Sequence, residues 1–137
     1  KYSYRNAELL ELHRRLEALD AERIYVFFNN YAMYRDAYRF SILLREGEPP
    51  PSPFGPDAIS WALRGFDDWP ASRDALIERC GRWRCWVHPS KAVPLERILR
   101  HLSGGTYGCV EELVEAAERI WDKLGYPSAE EVEAEAF

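Results

Sequence analysis

The stretch Arg23-Ile-Tyr-Val-Phe-Phe-Asn-Asn30 constrains the fold more than any other part of this chain. Five apolar or aromatic residues, rich in β-formers, run without a break and end in two amides. The run predicts a strand over 23–28 buried on both faces, as in a sheet covered by helices. Asn29 and Asn30 then fall at its carboxyl end, where α/β folds place their ligand sites. Side-chain amides both donate and accept, so they suit sugar hydroxyls, phosphates or base edges. They do not serve as general acids or bases. The competing reading is local: Asn30 caps the next helix and Asn29 satisfies a turn.

The flanking patterns are helical. Asn6 is the expected N-cap of a first helix carrying Leu9, Leu12, Leu16 and Leu19 at helical spacing. A second helix is expected from Tyr31 to Arg45, with Met33, Ala37, Phe40 and Leu44 on one face and Gly47 as its stop. Residues 1–47 thus read as a helix–strand–helix unit. Residues 48–56 hold five prolines in nine positions, an extended and stiff linker. Residues 57–127 read as a mainly helical extension with one further strand at 82–87, and 128–137 as an acidic terminal helix opened by the capping box Ser128-Ala-Glu-Glu131. The expected class is α/β, mostly helical.

The first third resembles the end of the DUF72 (YecE-like) family. The matching residues are Lys1-Tyr-Ser-Tyr4, a leucine-rich helix, Tyr25-Val-Phe-Phe-Asn-Asn30, then Asp36-Ala37 and Phe40. The resemblance covers residues 1–46. It implies a TIM-barrel-like fold in which 23–28 is the last barrel strand and Asn29 and Asn30 face the ligand end. One strand cannot close a barrel of eight. On this resemblance the chain is the carboxyl-terminal part of a larger protein, and its opening on Lys1 rather than Met fits that expectation.

Charge points to a second region. The net charge is −5, yet residues 82–101 hold Arg82, Arg84, Lys91, Arg97 and Arg100 against Glu96 alone. An acidic chain can still carry a basic face. In Arg82-Trp-Arg-Cys-Trp-Val-His88, alternation puts Trp83, Cys85 and Val87 on one face and Arg82, Arg84, Trp86 and His88 on the other. Cations interleaved with an aromatic plane bind single-stranded nucleic acid through phosphate contact and stacking; Arg100 in the next helix extends the face. The competing reading is a solvated face with an arginine–tryptophan stack.

Other signals are weaker. Cys80, Cys85, His88 and His101 are zinc-type ligands, but their spacing fits no common site, and buried structural thiols are the expectation. Ser103-Gly-Gly-Thr-Tyr107 lacks a phosphate-loop pattern, and Asp67-Asp68 reads as a turn. Tyr31, Tyr34 and Tyr38 form a stripe, read as a packing face toward missing barrel elements or a partner chain. No catalytic signature or cofactor motif is present. Three cysteines at irregular spacing suggest a reducing, cytoplasmic setting. No window has the apolar length of a membrane span. Abundant Arg, Glu and Pro suggest a heat-stable source.

Three functions remain in play. The first is a non-catalytic binding module for nucleic acid or a phosphorylated ligand, using Arg82, Arg84, Trp86, His88 and Arg100 near Asn29 and Asn30. The second is the carboxyl-terminal piece of a barrel enzyme with its catalytic residues upstream. The third is a protein–protein assembly module.

Overall fold

Buried apolar residues in this computed structural model gather into one large cluster and two small ones, and that division organises the molecule. Residues 2–135 are described. The elements are α1 (Asn6–Glu17), α2 (Met33–Glu46), a 3-10 turn (Gly55–Asp57), α3 (Ala58–Ala62), β1 (Ala71–Ser72), α4 (Arg73–Cys80), β2 (Arg84–His88), β3 (Lys91–Pro94), α5 (Glu96–Leu99), β4 (Thr106–Tyr107), α6 (Val110–Glu118), a second 3-10 turn (Asp122–Leu124) and α7 (Ala129–Ala134). The class is mixed α and β. The sheets are two short antiparallel pairs: β1 with β4, and β2 with β3 in the register Cys85 opposite Val93 and Trp86 opposite Ala92.

The large core lies in the second half of the chain. Ile59 from α3, Leu76 and Cys80 from α4, Cys85 and Val87 from β2, Ile98 and Leu99 from α5, and Leu113 and Ala117 from α6 meet there. The inward alternation of Cys85 and Val87 is as expected of a strand with one face on a core. Trp83 departs from it. The strand begins one residue later, and Trp83 sits in the preceding turn, its N–H donating to the Cys80 carbonyl, with its ring partly exposed. The Ser128 cap of α7 forms, its hydroxyl accepting the Glu131 N–H at 3.1 Å.

The amino-terminal half is built differently. No sheet contains residues 23–28, so the expected central strand is absent among the described residues. A strand exists only through its ladder, and no described strand lies alongside to supply one. Phe28 alone of this run turns inward, against Tyr4 and Phe40. Tyr25 is 70% exposed and Phe27 86% exposed. Among the described residues no barrel unit is formed.

Helix α2 also departs from its expected face. Its buried residues are Asp36, Arg39, Phe40 and Leu43, while Met33 and Leu44 are exposed. The inward stripe still follows helical spacing, but half of it is ionic. Gly47 ends the helix in the left-handed conformation, φ 80°, and donates to the Leu43 carbonyl at 2.8 Å. Helix α1 is capped at Arg5, whose N–H reaches Glu8 Oε1 at 3.2 Å, rather than at Asn6. Asn6 instead donates to the Pro50 carbonyl and accepts from Arg39.

The proline-rich stretch is not a loose spacer. Phe54 is fully buried, between Ala32, Trp86 and Val132. Gly55 has φ 73°, and a Cβ there would stand 2.9 Å from the Ala129 amide nitrogen. The segment is clamped between the two halves.

Candidate ligand-binding groove

Helix α2 presents a second stripe to solvent. Tyr34, Arg35 and Tyr38 recur at helical spacing, with Tyr31 just ahead of the helix. Trp61 from α3, Arg64 just beyond it, and Trp83, Arg84 and Trp86 from β2 and its approach face this stripe. Together they line two adjoining cavities. One, of about 220 Å³, includes Tyr31, Trp83, Arg84 and Trp86. The other, of about 400 Å³, includes Tyr38, Trp61 and Arg64. Tyr34, Arg35 and Trp61 belong to both. Among the described residues three arginines and no carboxylate line the pair, on a chain of net charge −5.

The aromatic and cationic groups are already stacked. Arg64 Cζ lies 3.6 Å from the Tyr38 ring centroid and 5.2 Å from that of Trp61, and the two rings meet edge to face at 6.0 Å. Arg35 Cζ stands 5.4 Å from Phe54 and 5.8 Å from Trp86. Burial, aided by the nearby Arg39 charge, pulls the Arg35 guanidinium down to about 10.

A buried polar network sets the position of Arg35. Asp36 and Arg39 are wholly buried and paired at 3.1 Å. Asp36 also accepts from Ser3 Oγ at 2.9 Å, the Tyr4 N–H at 3.0 Å and Asn30 Nδ2 at 2.8 Å. Arg35 Nη2 donates to Ser3 Oγ, and the Ser3 N–H donates to the Pro89 carbonyl at 2.7 Å. The network ties the first residues and α2 to the β2–β3 turn. Burial lowers the Arg39 pKa, opposed by Asp36.

The residues anticipated from sequence scatter around this groove. Arg84 and Trp86 line it. Trp86, however, is only 8% exposed, its ring covered by Phe54, Val132 and Arg35; it is a wall, not the open stacking plane expected from alternation. His88 lies toward α7, with Nε2 3.0 Å from Glu135 and Nδ1 3.0 Å from Ser90. Arg82 is exposed but does not line the groove, and Arg100 reaches Glu96 at 3.4 Å on α5. Asn29 is exposed and, with Asn30, Tyr31 and Met33, borders a separate shallow pocket. Asn30 does not cap α2, whose cap is Ala32: its Nδ2 is held by the Tyr2 carbonyl and Asp36, and its Oδ1 is buried without a partner.

Arg35, Arg64 and Trp61 carry no binding motif in the sequence. The tyrosine stripe carried the available signal, with Arg35 within it and the Trp61-x-x-Arg64 spacing beyond it. Cys80 and Cys85 are buried in the large core, and burial raises both thiols, Cys85 to about 12. The Ser103–Tyr107 loop is held internally: Arg73 donates to the Leu102 carbonyl and Tyr107 to the Ser103 carbonyl. Among the described residues no helix is long and apolar enough to cross a membrane. Comparison with known proteins matches no family model, no curated protein and no solved structure.

Proposed function

We propose that this chain is a non-catalytic binding module whose α2–α3–β2 groove takes nucleic acid, stacking bases on its aromatic side chains and contacting phosphates with Arg35, Arg64 and Arg84. The observation that carries this reading is the lining itself: aromatic faces and three arginines without a carboxylate. Aromatic planes accept any base, and a cationic track follows the backbone without reading sequence. The groove's opening between helices and a short sheet suits a single strand, whose bases can leave the stack.

Fluorescence anisotropy with labelled single- and double-stranded DNA and RNA tests it. Single strands bind at low salt, and log affinity falls with log salt at a slope of about −2, as for three neutralised phosphates. Arg64→Glu and Arg84→Glu each weaken binding at least tenfold. Equal binding by the parent and both variants would sink the reading.

A second reading is favoured by the exposed run Ile24–Phe27. On that reading the chain is the carboxyl-terminal piece of a DUF72-like barrel enzyme, with 23–28 awaiting strands supplied from upstream. Hydrogen exchange on the protein extended by whatever coding sequence precedes Lys1 tests it. Amides 24–28 become protected if the reading holds, and exchange as fast as in the present chain if it does not.

A further inference from the structure

We propose that the groove is built for two successive nucleotides, with the phosphate that joins them seated on Arg35. The inference rests on the nucleic-acid reading above and deepens it. Two cavities lie side by side, sharing Tyr34 and Trp61, and each adds an aromatic surface and an arginine of its own: Tyr31 and Trp83 with Arg84 in one, Tyr38 with Arg64 in the other. Arg35 stands at the junction and belongs to both. That is the order base, phosphate, base.

Arg35 is a cation set for an anion. Its neighbour Asp36 is occupied by Arg39, Ser3, Tyr4 and Asn30. Among the described residues Arg35 has no carboxylate within ion-pairing distance, and its one hydrogen bond goes to the neutral Ser3 hydroxyl. Its Nε is buried without a partner. Withdrawing a charge from water without a counter-ion is costly, and an anion at the open side of the guanidinium offsets that cost. The planar fork matches a phosphate in two-point geometry. Phe54 and Trp86 hold the guanidinium in place, so little ordering entropy remains to be lost on binding. Arg64, exposed and lying on Tyr38, either sandwiches an arriving base or yields the ring to it.

Titration of the intact chain with oligothymidylates of one to six nucleotides, followed by tryptophan fluorescence, tests the proposal. Affinity rises about tenfold or more from one nucleotide to two, the gain of one stacked base plus a bridging phosphate, and each further nucleotide adds much less, through flanking phosphates at Arg64 and Arg84 alone. Arg64→Ala, an exposed substitution, removes most of that step and changes mononucleotide binding far less. A smooth rise through four nucleotides or more with no break at two overturns the two-seat groove but leaves the nucleic-acid reading standing. No binding at any length in low salt overturns both.

Discussion

The two halves of this molecule reach order by opposite means. Around α4, β2, α5 and α6, seventeen buried apolar residues form one cluster, with Leu76, Ile98, Leu99 and Leu113 wholly inaccessible. Around α1 and α2 the apolar cluster has three, and the centre is held by the Asp36–Arg39 pair and its ring of donors. A core of the first kind is non-directional and stable in its own right. A network of the second kind fixes side-chain directions more than it adds stability, and this one leaves Asn30 Oδ1 and Arg39 Nε buried without a partner. The difference shows why the groove lies where it does: the apolar half supplies a rigid wall, and the polar half aims Arg35 at it.

That contrast can be broken from either side. Asp36→Ala leaves Arg39 buried without its counter-ion and is expected to cost about 3–5 kcal/mol, the largest effect of the set. Hydrogen exchange should show the loss confined to residues 2–46 while amides of β2 and α5 keep their protection; uniform loss would mean that the halves are one cooperative unit. Leu99→Ala is expected to cost about 2–5 kcal/mol, and here the whole chain should melt together by circular dichroism. Ser128→Ala removes the α7 cap and is expected to cost about 1 kcal/mol in a denaturant titration, without disturbing α1 through α6.

The thiols sharpen the comparison through pH. Burial raises Cys85 from 9.0 to about 12 in the folded chain. Above pH 9 the unfolded chain therefore releases a proton that the folded chain keeps. This contribution to stability is complete below pH 9 and is lost as the pH climbs toward 12. The stability difference between the parent and Cys85→Ala should shrink over that window. An unchanged difference would mean that the Cys85 site admits water.

How far the sequence foretold this depends on which interaction held each element. The cap at Ser128 and the stop at Gly47 depend on neighbours a few residues away, and the shared face of Cys85 and Val87 follows from the two-residue period of a strand, so all three are legible. The buried face of α2 was not, because Asp36 and Arg39 count as surface residues in any hydropathy pattern and only a tertiary partner makes them interior. The composition of the run 23–28 favours a strand, but a strand also needs a ladder, and composition does not supply one. Periodicity puts Trp86 on the side of β2 away from Cys85 and Val87; that Phe54 returns from a proline-rich stretch to cover it is beyond any periodicity. The tyrosine stripe was visible, whereas its meeting with Arg64 and Arg84 depends on how α3 and β2 pack.

Gly55 shows how much can rest on an atom that is not there. In a stretch so rich in proline, most positions tolerate replacement, since little regular hydrogen bonding is at stake. Residue 55 is different: any side chain adopts its positive φ at a penalty, and a single methyl group meets the backbone of Ala129. In a saturation-mutagenesis scan of residues 48–57, tolerance should collapse at Gly55 as it does at the buried Phe54 beside it, and Gly55→Ala should act as a wedge that lifts α7 away from the rest of the chain.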